Sequence, residues 1–230
     1  MLIGPQNLTL HVNHVRSRIR SAAIAAGRNP ESVTLVAVTK AKSAESVRLA
    51  ATAGVTDFGE NYLQEALAKM DQLADLRLNW HFIGGIQSNK TRAIAERFDW
   101  VQSVDRFSVA RRLSEQRPFH APPLNVCIQV ALVPEATKGG VAPVALAELA
   151  NAVAGLPRLS LRGLMCVPPP QPNVAAERAV FARLRAALDD LNAAGLKLDT
   201  LSMGMSGDFE SAIAEGATLV RIGTALFGSR

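Results

Sequence analysis

Short apolar runs alternate along the chain with glycine-bearing or polar turns and with stretches of helical periodicity. Eight runs have the length and composition of buried strands: "SVTLVAV", "VTDFG", "WHFIG", "WVQSV", "LNVCIQVAL", "LSLRGLMCV", "LDTLSM" and "TLVRIG". They are too evenly apolar for a half-exposed antiparallel sheet, so they favour a parallel sheet covered by helices. The intervening helices have glycine stop signals, at Gly54, Gly155, Gly195 and Gly216.

The same periodicity predicts one further helix before the first strand, over residues 7–27. Its apolar face is formed by Leu8, Val12, Val15, Ile19, Ala22 and Ala26. Asn7 is predicted to cap the start of this helix and Gly27 its end, and Pro30 blocks its continuation.

Eight strand–helix units in about 200 residues predict a (β/α)8 TIM barrel with an extra N-terminal helix. An open doubly wound sheet is the alternative, although the first strand lacks the G-x-G-x-x-G turn typical of that fold. The proline-dense segment at residues 167–173 lies between a strand and its helix, so we interpret it as a barrel loop. We therefore expect one domain over residues 1–230.

Composition narrows the class of protein. Hydrophobic residues make up 48% of the chain, yet no apolar stretch reaches the roughly 18 residues of a membrane span, and the N-terminus lacks a signal-peptide pattern. Cys127 and Cys166 lie in apolar runs and are expected to be buried thiols, which favours a cytoplasmic location. No cluster of cysteine, histidine and aspartate has metal-ligand spacing.

The formal net charge of +5 comes from 25 basic and 20 acidic residues that are interspersed along helical stretches. No basic tract and no interleaving of basic with aromatic residues is present. This pattern favours small anionic ligands over nucleic acid.

In a barrel of this kind, functional residues collect where the strands end. The first strand runs into Lys40, and the second into Glu60 and Asn61. The seventh and eighth strands run into "SMGMSGD" and "RIGTALFG", the loops that usually bind phosphate in this fold. Ser206 in the first of these loops, and Gly223 and Thr224 in the second, are the candidate phosphate-binding residues.

Strands one and eight are neighbours in a closed barrel, so Lys40 and Arg221 are expected in adjacent strands. An amine beside a phosphate site suggests a phosphorylated carbonyl compound held as a Schiff base. Pyridoxal 5′-phosphate (PLP) is the commonest such partner, and a sugar-phosphate aldehyde also fits. Lys42 lies past the strand and is expected at the rim of the cavity or in solvent.

The segments "LVAVTKAKS", "FGENYLQE", "WHFIGGIQSNK", "GLMCVPPP" and "LSMGMSGDFESAIAEGATLVRIGTALFG" resemble the pyridoxal phosphate homeostasis proteins. The resemblance extends from about residue 7 to the C-terminus. It implies a single-domain barrel similar to the N-terminal domain of alanine racemase, which is PLP fold type III. It also implies a protein that carries PLP, supplies PLP-requiring apoenzymes and supports vitamin B6 and amino-acid homeostasis, without turning over a substrate.

The resemblance also implies residue roles. Lys40 would form the Schiff base with PLP, and Arg221 would face the pyridine nitrogen and disfavour its protonation. The remaining pocket residues would be Ser206, Gly223 and Thr224 around the phosphate, with Asn61 as a further lining residue.

A PLP-dependent amino-acid racemase is the alternative function. A two-base racemase needs a second acid/base group on the opposite face of the cofactor. In alanine racemase a second domain and the partner subunit contribute to that face, and we expect neither such a domain nor a dimer here. The only tyrosine, Tyr62, follows strand two, and nothing in the sequence places it as that group.

Two positions depart from the family pattern. Gly85 replaces a proline after the third strand, which is expected to loosen that turn, and Ala131 replaces an asparagine at the end of the fifth. Lys138 does match the family. It is either a second amine at the cavity mouth that assists transfer of the cofactor or a solvated loop lysine.

Overall fold

The computed structural model describes residues 5–133 and 139–228. Eight parallel strands close into a barrel in sequence order, with the last strand paired to the first. The strands are β1 Thr34–Val38, β2 Asp57–Glu60, β3 Asn79–Phe82, β4 Trp100–Val104, β5 Leu124–Gln129, β6 Leu159–Met165, β7 Thr200–Ser202 and β8 Leu219–Ile222. Each lies within or overlaps its predicted run, so the TIM-barrel prediction is confirmed and the open-sheet alternative is wrong.

Helices separate successive strands and cover the outside of the barrel. They are α1 Pro5–Ala25, α2 Ala44–Thr52, α3 Leu63–Gln72, α4 Thr91–Arg97, α5 Phe107–Gln116, α6 Pro143–Ala154, α7 Val174–Ala193, α8 Phe209–Ala214 and α9 Thr224–Phe227. Short 3-10 turns occupy Pro30–Ser32 and Ser88–Lys90. The predicted extra helix before β1 is confirmed as α1.

The first helix begins earlier than predicted. It starts at Pro5, so Asn7 lies inside the helix and the predicted cap is wrong. Proline favours the first helical turn, since its fixed φ suits a helix and its missing N–H would have no partner there. The buried face consists of Leu8, Val12, Val15, Ile19 and Ala23. Ala22 and Ala26 are half-buried, and the helix ends before Gly27.

At some of the predicted helix ends, the backbone conformation itself favours glycine. Gly54 and Gly195 follow α2 and α7 with φ of +84° and +104°, in the left-handed region that glycine tolerates best. Gly155 ends α6 at φ −79°, which any residue adopts. The helix therefore ends at Gly155 as predicted, but the backbone there does not require glycine.

The core has two parts. Outward-facing strand residues such as Phe58, Val101 and Leu164 pack with the helices in one hydrophobic cluster. The inside of the barrel contains buried polar side chains instead, which are described below. The predicted buried thiols are confirmed: Cys127 and Cys166 are free and buried, and burial raises the pKa of each to about 12.

Neither a membrane-spanning helix nor a cluster of metal ligands is present among the described residues. None of the described helices has both the length and the hydropathy that crossing a bilayer demands. Over residues 5–133 and 139–228, no group of three or more histidine, cysteine or acidic side chains is arranged to hold a metal ion.

Candidate functional site at the carboxyl end of the barrel

Lys40 lies at the mouth of the barrel formed by the carboxyl ends of the strands. β1 ends at Val38, so Lys40 is the second residue beyond the strand rather than its last residue. Val38 is paired with Gly59 of β2. Because parallel strands advance together, Lys40 is level with Asn61, the second residue after Gly59.

The amines of Lys40 and Lys42 differ in their contacts. Lys40 is half-buried, and within residues 5–133 and 139–228 its side chain makes no hydrogen bond or ion pair. The Lys42 Nζ donates to the carbonyl oxygen of Phe227 at 3.1 Å, which attaches it to the end of α9. Of the two, Lys40 has the amine that is available to a ligand.

The loops after β7 and β8 are hydrogen-bonded to each other. The Arg221 N–H donates to the Gly204 carbonyl oxygen at 3.0 Å, and the Ala225 N–H donates to the Ser206 Oγ at 3.2 Å. Since Ser206 accepts that bond, its hydroxyl hydrogen is available to a ligand. Gly204 has φ +92°, and a Cβ there would lie 2.7 Å from the Cβ of Ala212, so the loop requires glycine.

The second of these loops also contacts β1. A Cβ built on Gly223 would lie 3.5 Å from the Cβ of Val38, two residues before Lys40. Thr224 begins α9 and is exposed. The candidate residues therefore lie around one mouth: Lys40 just after β1, and Ser206, Gly223 and Thr224 on two segments that are joined to each other.

Asn61 has an unpaired buried atom. It directly follows β2, and its backbone is so close to Gly84 that a Cβ there would lie 2.1 Å from the Asn61 carbonyl oxygen. Its side-chain Oδ1 is buried and has no hydrogen-bond partner among the described residues. Buried amide oxygens are nearly always paired, so this atom suits a site that a ligand completes.

Arg221 is 4% exposed and lies inside the barrel. Its Nη1 donates to the Ser202 Oγ at 2.6 Å, and its Nη2 donates to the Cys166 carbonyl oxygen at 2.7 Å. Burial lowers the pKa of this guanidinium from its usual value. In the part of the chain that the structure describes, no carboxylate forms an ion pair with it.

A chain of hydrogen bonds continues from Arg221 through the barrel. Ser202 Oγ donates to Gln102 Oε1 at 2.6 Å, Gln102 Nε2 donates to His81 Nδ1 at 2.8 Å, and His81 Nε2 lies 2.9 Å from Asp57 Oδ1. Ser202 ends β7, whereas Asp57 begins β2. The chain therefore crosses the interior from the carboxyl end of the barrel to its amino end.

All the bonds of this chain point the same way. Arg221 can only donate, and an ionised Asp57 can only accept. With the Gln102 Nε2 towards His81, the His81 Nδ1 accepts and the His81 Nε2 donates to Asp57. Burial alone would raise the pKa of Asp57, but hydrogen bonds, first that of His81, lower it overall. His81 is fully buried and has two hydrogen-bond partners, so it is a satisfied interior histidine.

Sequence reasoning missed a second buried cluster beside Lys40. The Lys69 Nζ lies 2.6 Å from Glu60 Oε1 and 2.6 Å from Glu65 Oε1. Burial raises the pKa of Glu60, and the hydrogen bonds from Lys69 and Thr39 oppose that effect. Only the four-residue spacing of Glu65 and Lys69 was visible in the sequence, and that spacing is typical of an exposed ion pair.

Comparison with known proteins identifies the family. The model of the alanine racemase N-terminal domain matches residues 10–230. A pyridoxal phosphate homeostasis protein of Pseudomonas aeruginosa is 64% identical over 220 residues, which cover 96% of this chain and 94% of that protein. The chain belongs to the pyridoxal phosphate homeostasis protein family. A member from Escherichia coli is 48% identical over 219 residues, 94% of each chain.

A solved structure agrees with this assignment. PipY of Synechococcus elongatus PCC7942, whose structure has PLP bound, superposes with a TM-score of 0.86 at 38% identity. The alignment covers 96% of this chain and 100% of PipY. The family resemblance and the barrel fold inferred from the sequence are thereby confirmed.

Three further residues stand out in the sequence. Ala131 departs from the family pattern, and the sequence leaves the roles of Tyr62 and Lys138 open. Ala131 is half-buried, and its N–H donates to the Val141 carbonyl oxygen at 2.9 Å. Tyr62 is 56% exposed just before α3. Lys138 lies outside the described residues, so both interpretations of it stay predictions.

Gly85 is the departure with a direct test. A Cβ built there meets nothing within 4 Å, its φ is not left-handed, and its N–H donates no hydrogen bond among the described residues. Gly85→Pro is therefore expected to raise the free energy of unfolding by about 0.4–1 kcal/mol, through the unfolded chain. Thermal unfolding checks this. Gly84→Ala is the matched control. It is expected to lower the free energy of unfolding, because the new Cβ would collide with the backbone of Asn61. A Gly85→Pro protein that is less stable than wild type would contradict the prediction.

Proposed function

We propose that this protein carries PLP as a Schiff base on Lys40 and supplies it to PLP-requiring apoenzymes. In this way it would support intracellular vitamin B6 and amino-acid homeostasis. The observation that carries the proposal is the unpaired amine of Lys40 beside two hydrogen-bonded loops that suit a phosphate. The names of the relatives, and the PLP bound to PipY, support it.

The described residues fit such a cofactor. The phosphate would accept hydrogen bonds from the Ser206 hydroxyl and from the loop formed by Gly223 and Thr224. Asn61 contributes an amide oxygen that the protein alone leaves unpaired. The amine of Lys40, in its neutral form, is the nucleophile for an aldehyde.

Arg221 is assigned to the pyridine nitrogen. When bound, PLP supplies an aldehyde and a ring that withdraws electrons most strongly once its nitrogen is protonated. Ser202 and Cys166 hold the guanidinium in place, and a fixed cation opposite the nitrogen disfavours that protonation.

We further propose that the protein is not a catalyst. A racemase needs a second acid/base group, and Tyr62, the single tyrosine of the chain, is 56% exposed. Exchange of the α-hydrogen of several amino acids in D2O is expected to be no faster with the loaded protein than with free PLP. Exchange well above that level would favour the racemase alternative.

Three broader predictions accompany this proposal. We expect residues 1–230 to form one domain, the chain to be a monomer, and the protein to be cytoplasmic. Light scattering of the purified protein checks that it is a monomer, and cell fractionation checks that it is cytoplasmic.

Borohydride reduction tests the function itself. The protein is mixed with PLP, reduced, digested and analysed by mass spectrometry. A reduced PLP adduct on the Lys40 peptide is the expected result. A sugar-phosphate adduct on Lys40 in protein as purified, unaffected by added PLP, would favour the aldehyde alternative, and the absence of any adduct on Lys40 would contradict the proposal.

A further inference from the structure

The chain turns sharply at Lys40. The Lys42 N–H donates to the Thr39 carbonyl oxygen at 3.0 Å, which closes a turn with Lys40 and Ala41 at its two central positions. Ala41 has φ +59°, in the left-handed region that glycine favours and alanine disfavours. The direction of the Lys40 side chain thus depends on a turn whose own sequence does not favour it.

Both peptide groups that flank Lys40 are held by one charged cluster. The Lys69 Nζ donates to the Thr39 carbonyl oxygen at 2.6 Å, and the Glu65 Oε1 accepts from the Ala41 N–H at 2.6 Å. Glu65 also accepts from Lys69, so the two contacts are joined. The same carboxylate therefore stabilises the left-handed residue and the ammonium that fixes the other side of the turn.

Lys69 is fully engaged in this arrangement. Its ammonium has three N–H donors, and three oxygens lie 2.6 Å away, those of Thr39, Glu60 and Glu65. The side chain is 5% exposed. With every donor used, Lys69 has no lone pair for an aldehyde, and it acts on Lys40 only through the backbone.

We propose that Glu65 and Lys69 are positioning residues that hold the Lys40 turn so that its amine meets an aldehyde at the barrel mouth. The inference rests on the proposed function. In the step concerned, the Lys40 amine adds to the aldehyde carbon and one water leaves as the C=N bond forms. Glu65 and Lys69 do not take part in that exchange of atoms; they fix where the nitrogen is when it begins.

The test compares two acidic residues in the first turns of neighbouring helices. Glu65→Ala removes the contact to Ala41, whereas Glu45→Ala removes a first-turn charge from α2 without touching the turn. Glu65→Ala is expected to slow condensation with PLP roughly tenfold, as for loss of one charge-assisted hydrogen bond. Glu45→Ala is expected to behave as wild type. Visible absorbance after rapid mixing measures the rate.

A ligand without an aldehyde separates positioning from general damage. Pyridoxine 5′-phosphate has the same phosphate and ring but cannot condense with an amine. Its Kd is expected to stay within about twofold in Glu65→Ala, since the phosphate loops are untouched. Equal loss of affinity for both compounds would overturn the inference. Lys69→Met is a weaker test because it leaves Glu60 buried without its cation, so apoprotein melting is measured for every variant.

Ala41→Gly provides the rescue. Glycine adopts a left-handed φ without support, so the double variant Glu65→Ala, Ala41→Gly is expected to recover most of the condensation rate. No recovery would overturn the inference that Glu65 acts through the backbone, as would equal rates in Glu65→Ala and Glu45→Ala. If wild type forms no adduct on Lys40, the proposed function fails and the inference fails with it. An adduct on Lys40 without a Glu65 effect leaves the function intact and overturns this inference alone.

Discussion

Lys40→Ala is expected to abolish covalent retention of PLP, whereas Lys42→Ala retains it. The two lysines are two residues apart, but their amines differ. The Lys40 amine has no partner among the described residues, whereas the Lys42 amine donates to the Phe227 carbonyl oxygen. The visible band of the wild-type complex should be absent from Lys40→Ala. The proposed phosphate contacts from Ser206 and the Gly223 loop do not involve Lys40, so weak, dialysable binding is expected to persist.

Lys42→Ala is the matched control for this experiment, because it removes one amine and one positive charge from the same turn, as Lys40→Ala does. Its band and its borohydride-stable adduct should equal those of wild type. A stable adduct on Lys40→Ala would show that another amine carries the cofactor. In that outcome, Lys138, which lies between β5 and α6 in the sequence, is the first residue to replace.

The positions of the candidate residues were accessible from the sequence for a specific reason. In a parallel barrel every strand ends at the same face, so finding the strand ends in the sequence also finds the residues around the mouth. Lys40, Asn61 and the two glycine loops were located in this way. The predicted run "SVTLVAV" ends at Val38, as β1 does, but it does not reveal that Thr39 and Lys40 belong to a turn.

The interior of the barrel was not accessible in the same way. His81, Gln102 and Ser202 come from three different strands. His81 and Ser202 each stand between apolar neighbours in the sequence, and Gln102 is next to a polar residue only at Ser103. Only the closed register brings them into contact. Burial of Lys69 is hidden for another reason. Helical spacing identifies a partner in the same helix, whereas Glu60 and the Thr39 carbonyl come from strand ends outside it.

The interior chain also explains how Arg221 is stabilised without an adjacent carboxylate. A buried cation needs compensation: the carboxylate of Asp208 opposes the effect of burial by raising the pKa of the Arg221 guanidinium without forming an ion pair with it, and the hydrogen-bonded chain ends at a second anion, Asp57. Because every bond points from Arg221 towards Asp57, each dipole lowers the energy of the charge at both ends. The chain is thus expected to behave as one unit.

Gln102→Leu is the substitution with the largest expected effect on stability. Gln102 is fully buried and bonds to both neighbours, so its loss leaves the Ser202 hydroxyl hydrogen without an acceptor and the His81 Nδ1 without a donor. The free energy of unfolding is expected to fall by about 2–5 kcal/mol. Urea denaturation with an unchanged m-value measures it. Gln72→Leu, on the exposed face of α3, is the control and should change stability by less than about 0.5 kcal/mol.

A double-mutant cycle decides whether the chain acts as one unit. Ser202→Ala breaks the bond to Arg221, and on its own it should also destabilise the fold. The double variant Ser202→Ala, Gln102→Leu should lose clearly less free energy of unfolding than the two single variants lose together. Gln102→Leu alone already removes the cooperative polarisation of the chain and the acceptor of the Ser202 hydroxyl. Strict additivity would mean that the bonds are independent. Asp57 would then contribute nothing to Arg221 through the chain.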